Sequence, residues 1–299
     1  MDVRPARPEH HELIIDLFLR RSRSLTSALV TTTVVDESTS EYRALHVAHE
    51  GERLVGAGLL FRPLAAPPGL SIENIAVEEA AERAGTGAAL FAALDAATPP
   101  KATFTIAQVD EKEHRSVAVA EHWGFVRTEV SVTSRLRLDA PPVPVLPPAV
   151  VVDLSPELEF GDEDAVETML DVSQTNPERE HGGPLTLAAL RAMAPRAGAV
   201  RPTGLVLRVD GRPAAVTYAV SARGEAQVVY TGVDPALRGR GLARLAKEVL
   251  HAELAATGVT TCVTNNADDN TGIRHVNAQL GYRRTDAAVF LRRELEQTR

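Results

Sequence analysis

Two stretches in the second half of this chain gather residue types that handle anions and amides. The first runs Val233-Asp-Pro-Ala-Leu-Arg238-Gly239-Arg240-Gly241-Leu242-Ala243. It reads as a strand end, a proline-containing turn and the start of an amphipathic helix. Glycines at 239 and 241 let the backbone turn without Cβ interference and leave the first helical N–H groups uncovered. Those donors, the positive end of the helix dipole and the mobile charges of Arg238 and Arg240 suit a pyrophosphate. A glycine-rich helix start with no ligand is the plain alternative. A dinucleotide loop would need a third glycine where Arg244 stands, and a Walker loop would need Gly-Lys-Ser/Thr. A third reading is the pyrophosphate of an acyl-CoA, and the second stretch favours it. From Thr264 to Tyr282 a strand runs through Asn265 and Asn266 into a helix carrying Asn270 and Asn277, seven residues apart on one face. Capping explains the asparagines at the helix start. It does not explain Asn277 in mid-helix, where asparagine is a mediocre former. A polar groove whose carboxamides meet the amides of a pantetheine arm does.

The elements that position these residues recur along the chain. In the first half, periodicity predicts a helix at 9–21, strands at 43–48, 53–61 and 70–77, a helix at 87–97, a strand at 102–107, a helix at 116–122 and a strand at 129–138. The second half predicts helices at 164–172 and 185–193, a hairpin of 204–209 and 214–221 about Asp210-Gly211, and a strand at 225–233. A helix at 242–254, a strand at 259–264, a helix at 270–280 and a strand at 285–292 follow. The order of elements agrees between the halves, so a mixed α/β (α+β) unit is repeated in tandem. Between them, 139–149 holds five prolines in eleven residues, which neither helix nor central strand tolerates. The expected layout is domains at 1–138 and 150–299 joined by a semi-rigid linker.

Composition narrows the function classes. With 32 basic and 40 acidic residues, the formal charge is −8, which argues against a protein that grips nucleic-acid phosphates. The single cysteine, Cys262, excludes an intrachain disulfide, and the nine histidines show no ligand spacing, so no metal is expected. Cys262 lies in mid-strand and is expected to be buried and structural. No long apolar run or leader-like N-terminus is present, so neither membrane nor export is expected and a cytoplasmic location is.

The segment Arg238-x-x-Gly241-x-Ala243, with Asn270 and Leu280-Gly281-Tyr282, resembles the pyrophosphate loop and closing segment of the GNAT superfamily of acetyl-CoA-dependent acyltransferases. The likeness is strong over about residues 150–295, and the second half looks most like tandem-GNAT proteins of actinobacteria. The resemblance implies two tandem GNAT-like acyl-CoA N-acyltransferase domains and acetyl-CoA held by Gly232, Val233, Arg238, Gly239, Arg240, Gly241, Leu242, Ala243, Asn266 and Asn270. It also implies direct transfer to an amine, with a backbone N–H near Gly232-Val233 on the thioester carbonyl. The family's tyrosine acid would stand at Asn277, which cannot donate a proton as an acid. Its frequent glutamate base would stand near Gln227 or Val229. The expected catalytic residues are therefore Tyr230, ordering the amine or a water, and Asn277, hydrogen-bonding near the sulfur. For Tyr230 a core aromatic with a satisfied hydroxyl is the alternative.

The first half reads as a weaker copy. Counted from Val77 as from Val233, Gly85 and Gly87 fall where Gly241 and Ala243 fall, and Trp123-Gly124-Phe125 matches the closing segment. Yet Glu82 and Arg83 replace Arg238 and Gly239, while Glu113 and Ala120 replace Asn270 and Asn277. Glu82 would repel a pyrophosphate unless paired, so impaired or absent cofactor binding is expected there. Arg20, Arg21 and Arg23 read as a solvated helix end. The overall expectation is an acetyl-CoA-dependent N-acetyltransferase acting on a small-molecule or peptide-like amine in the second domain, as a monomer or homodimer. A non-catalytic acyl-CoA-binding regulator is the alternative. The polar run 173–184 is expected to contribute to the acceptor site.

Overall fold

A computed structural model describes residues 1–64, 66–139, 141, 143–173, 185–193 and 200–296. The acceptor run expected at 173–184 lies outside the described residues apart from its first residue. The chain divides into two compact units, Met1–Ser131 with Asp286–Arg299, and Val132–Thr285.

The first unit is built from β1 (Asp2–Pro5), α1 (His11–Arg21), α2 (Ser27–Val35), β2 (Ser40–Glu50), β3 (Arg53–Pro63), β4 (Leu70–Val77), α3 (Thr86–Ala96), β5 (Phe104–Asp110), α4 (His114–His122) and the opening of β6 (Val126–Arg137). The second adds β7 (Val150–Leu154), α5 (Glu163–Ser173), α6 (Leu187–Met193), β8 (Arg201–Val209), β9 (Arg212–Ala222), β10 (Glu225–Val233), α7 (Leu242–Ala256), β11 (Thr261–Ala267), α8 (Thr271–Gln279) and the start of β12 (Arg283–Glu294). Both units are mixed α/β, as expected. The strands of the first follow the order β1-β2-β3-β4-β5-β12, and those of the second β6-β11-β10-β9-β8-β7.

The units do not follow the cut expected at the proline segment. The chain leaves the first unit inside β6 and returns to it inside β12. Residues Ala288–Glu294 of β12 pair antiparallel with Asp110–Phe104 of β5. Val289 and Leu291 complete an apolar cluster with Val117, Ala120 and Phe125. Leu138, just past β6, is buried with Leu205, Leu250 and Tyr282 in the core of the second unit. The proline segment leads straight into β7 of that unit, where the Asp210 N–H donates to Ala149 O at 3.1 Å. Burial of β-branched and leucine side chains, not proline content, sets the boundary.

In each unit one parallel pair interrupts an antiparallel sheet. β10 runs parallel to β11, from Glu225 opposite Thr261 to Val228 opposite Thr264. β4 runs parallel to β5, from Leu70 opposite Phe104 to Glu73 opposite Ala107. Beyond those positions the two strands of each pair stop bonding to each other and part. A cleft opens at each parting.

Candidate functional site in the second unit and its counterpart

In the second unit the parting is sharpened by a register shift between Val228 and Tyr230, after which β10 pairs with β9 alone. The cleft holds about 60 Å³ and its walls include Tyr230, Thr231, Lys247, Asn265, Asn266 and Asn270. Tyr230 therefore faces the cleft, and its carbonyl accepts a hydrogen bond from Thr217 Oγ1 at 2.9 Å. A Cβ at Gly232 would fall 2.5 Å from the Tyr230 hydroxyl, so this ring position requires glycine there.

Past Val233, Asp234 caps a short turn by accepting from Ala236 N at 2.8 Å. Gly239 (φ 77°) and Gly241 (φ 79°) then adopt the left-handed conformation. A Cβ on either would meet nothing within 4 Å, so backbone handedness rather than space demands glycine. Gly241 is the N-cap of α7 and offers no side chain to cap it. The first intrahelical bond runs from Leu245 N to Gly241 O, leaving the N–H groups of Leu242, Ala243 and Arg244 uncovered. Arg238 and Arg240 are exposed beside them. This donor set fits a pyrophosphate, and the carboxamides of the cleft fit an amide-bearing arm.

The asparagines do not share one groove as the spacing implied. Asn270 is the N-cap of α8, accepting from Ile273 N at 3.5 Å, and lines the cleft. Asn277 is 2 % exposed and is not among the lining residues. Its Nδ2 donates to Asn266 Oδ1 at 2.8 Å, and its Oδ1 accepts from Lys247 Nζ at 2.6 Å. Lys247 reaches the cleft where Asn277 does not. Its side chain is 1 % exposed, lies 5.0 Å from the Tyr282 ring centroid and makes no ion pair with a described carboxylate. Burial pulls its pKa down to about 8. Behind it, His251 and the Tyr282 hydroxyl are 2.8 Å apart. Burial, with the Lys247 charge second, holds His251 neutral with a pKa of about 3. Cys262 is buried and its thiol is pushed up to about 11, mainly by burial, which makes it an inert core residue.

The counterpart in the first unit differs in size and charge. It holds about 760 Å³, and its walls include Glu73, Val77, Val109, Val119, Trp123 and Phe125. Trp123 stacks on Phe91 with centroids 4.3 Å apart and planes at 9°. Gly85 (φ 84°) caps α3 as Gly241 caps α7, again with no side-chain cap. Arg21 pairs with Glu82, and Arg20 with Glu78 at 2.6 Å. These arginines are thus partnered rather than simply solvated, and the carboxylate expected to repel an anion is neutralised. Glu73 is 4 % exposed. Burial raises its pKa to about 7, with the Arg293 charge opposing. It stands four residues before Val77, as Val229 stands before Val233.

Sequence reading missed both Glu73 and Lys247. The signal for Glu73 was a lone acid inside the otherwise uncharged strand centre Leu-Ser-Ile-Glu-Asn-Ile-Ala-Val. The signal for Lys247 was its place three and seven residues before Leu250 and Leu254, inside the apolar stripe of α7.

A parallel pair that parts beside a glycine-capped helix is thus repeated in the two mixed sheets. Residues 152–269 match the family described as Acetyltransferase (GNAT) domain. That match lies within the second half, and the fold of the whole chain is like that of tandem GNAT structures. One similar solved structure is a tandem GNAT protein from the clavulanic acid biosynthesis pathway, without AcCoA, at 23% identity, TM-score 0.76 and 98% coverage of both chains. Another is a GCN5-related N-acetyltransferase from Sphaerobacter thermophilus, at 15% identity and TM-score 0.71, covering 98% of this chain and 95% of that one. A third, a GCN5-related N-acetyltransferase from Kribbella flavida, gives 17% identity and TM-score 0.60, with 91% and 95% coverage. No curated protein matches the chain by sequence. No described helix is long and apolar enough to cross a membrane.

Proposed function

We propose that the protein is an acetyl-CoA-dependent N-acetyltransferase whose second unit holds the acyl donor and passes its acetyl group directly to an amine. The observation that carries this reading is the uncapped N-terminus of α7 between Gly239, Gly241 and the cleft of β10 and β11. The uncovered amides of Leu242 and Ala243 with Arg238 and Arg240 hold the pyrophosphate. Asn266 and Asn270 meet the pantetheine amides. A backbone N–H at Gly232-Val233 faces the carbonyl oxygen and polarises it. Tyr230, at the register shift, orders the attacking amine or a water, and Asn277 acts through its bonds to Lys247 and Asn266. The acceptor is a small or peptide-like amine, in keeping with the acidic balance of the chain.

A second reading is a regulator that binds acyl-CoA without turnover. It is favoured by the lack of any carboxylate among the described cleft-lining residues of the second unit. Titration calorimetry with acetyl-CoA, followed by a free-thiol assay across an amine panel, separates the two. Binding with thiol release on any amine supports the enzyme. Binding with no release on any supports the regulator, and no binding overturns both.

A further inference from the structure

Lys247 is a buried cation with no counter-charge among the described residues, set in the wall of the acyl-donor cleft. Every described group packed about its ammonium is neutral or uncharged at neutral pH. Asn277 Oδ1 accepts one of its protons at 2.6 Å, and the Tyr282 ring lies 5.0 Å away. His251 is kept neutral, and the Cys262 thiol stays protonated. A lysine has three N–H donors, and the one bond to Asn277 leaves others for the cleft. Burying an ammonium this way is costly unless an anion joins it.

Acyl transfer from a thioester creates one anion that the rest of the cleft does not address, the departing sulfur. Resting on the proposed acyl-CoA site, we infer that Lys247 is the catalytic cation that stabilises the leaving thiolate, with Asn277 as the positioning residue that aims it. The neutral amine attacks the thioester carbon, so a C–N bond forms and the C–S bond breaks with its electron pair staying on sulfur. The Lys247 ammonium keeps its proton and pairs with that sulfur, which departs as a thiolate. The new amide nitrogen releases its extra proton to solvent, so the products are the amide, the CoA thiolate and one proton. No oxidant or further reactant is needed.

The same placement has a consequence that needs no acceptor. A free CoA thiol in this cleft ionises beside Lys247. The test compares complexes of the full chain with CoA, desulfo-CoA and acetyl-CoA by ultraviolet difference spectroscopy and calorimetry between pH 6.5 and 8. The expected result is a thiolate band from bound CoA at pH 7, with release of up to one proton per CoA and none for acetyl-CoA. Lys247→Met should abolish the band and weaken CoA about tenfold at pH 7, the effect of a bound thiol that titrates about one pK below that pH. Acetyl-CoA affinity should stay within about threefold, since its sulfur does not ionise. CoA binding to the unaltered protein without a thiolate band overturns the inference even if the variant fails to fold. So does a band that survives in Lys247→Met. If neither CoA nor acetyl-CoA binds, the acyl-CoA site itself is wrong and the inference falls with it.

Discussion

The two clefts share one backbone device and end in opposite charges. Each lies where a parallel pair stops bonding, and each sits beside a helix opened by a left-handed glycine. The floor of the first carries a carboxyl group, Glu73, among aromatic walls in about 760 Å³. That of the second carries an ammonium, Lys247, among carboxamides in about 60 Å³. A duplicated fold thus keeps its cleft because the cleft is a property of strand pairing, while the chemistry inside drifts residue by residue. The first unit carries the acid and has Arg83 where the second has Gly239. The second carries the glycine-arginine turn and has no carboxylate among the described residues of its cleft. The first half is thus the weaker copy in its loop alone.

This contrast can be broken most severely by ending the chain at Thr285. The first unit would lose the β12 residues paired with β5, and with them Val289 and Leu291. Its fold should be lost, and fluorescence of the single tryptophan, Trp123, should shift toward that of solvent-exposed indole. An unchanged emission spectrum would show the unit to be complete without β12.

Next in size is a matched pair at the helix starts. Gly241→Trp should lower acetyl-CoA affinity ~100-fold, because a side chain forced into a left-handed cap blocks the uncovered amides. Gly85→Trp should change it by less than about threefold if the second unit alone holds the donor. Calorimetry showing the reverse order would move the donor to the first unit.

The opposite floor charges should give opposite pH slopes of stability. Glu73 binds its proton more tightly folded, near 7, than unfolded, near 4.5. Its contribution is present below pH 4.5 and is lost as pH rises to 7, an effect on the order of 3 kcal/mol. Lys247 binds its proton less tightly folded, near 8, than unfolded, near 10.5. Its contribution is present above pH 10.5 and is lost as pH falls to 8, an effect of similar order, roughly 3 kcal/mol. Glu73→Gln should therefore raise Tm at pH 8 and leave it unchanged at pH 4, whereas Lys247→Met should raise Tm at pH 7. Melting curves that keep their wild-type pH slope in Glu73→Gln would show that this carboxyl is not held near neutrality.

The smallest effect is expected from Arg21→Ala, which frees the Glu82 carboxylate. Both side chains are about one-third exposed, so screening limits the pair to ~0–1 kcal/mol. Tm should fall by only a degree or two, by about the amount this energy implies.

Much of the fold was legible where one force dominates. The stripe from Leu242 to Leu254 foretold α7, which ends at Ala256, and Asp210-Gly211 foretold the hairpin of β8 and β9. α2 was not foreseen, because Ser-Ala-Leu-Val-Thr-Thr-Thr-Val-Val is rich in β-branched residues that favour strands. Its helix is started by Thr26, which accepts from Leu29 N, and is kept by burial of Val30 and Val34 beside α1. The routes of β6 and β12 were hidden for another reason. Both are twelve-residue strands, and a single sequence does not record which partner edge each one chooses. The glycine turn was readable because its function lies in backbone conformation that residue type reveals. The floor charges were not, since Glu73 and Lys247 acquire their properties from burial by residues distant in sequence.

The route of β12 also bears on how the protein is made. Translation delivers β1 to β5 first and β12 last, so the first unit emerges early yet waits for the final strand to close its sheet. Until then the free edge of β5 is an open template for pairing with other chains. The second unit, whose strands from β6 to β11 are contiguous in sequence, is finished before the first. The order of maturation is thereby the reverse of the order of synthesis.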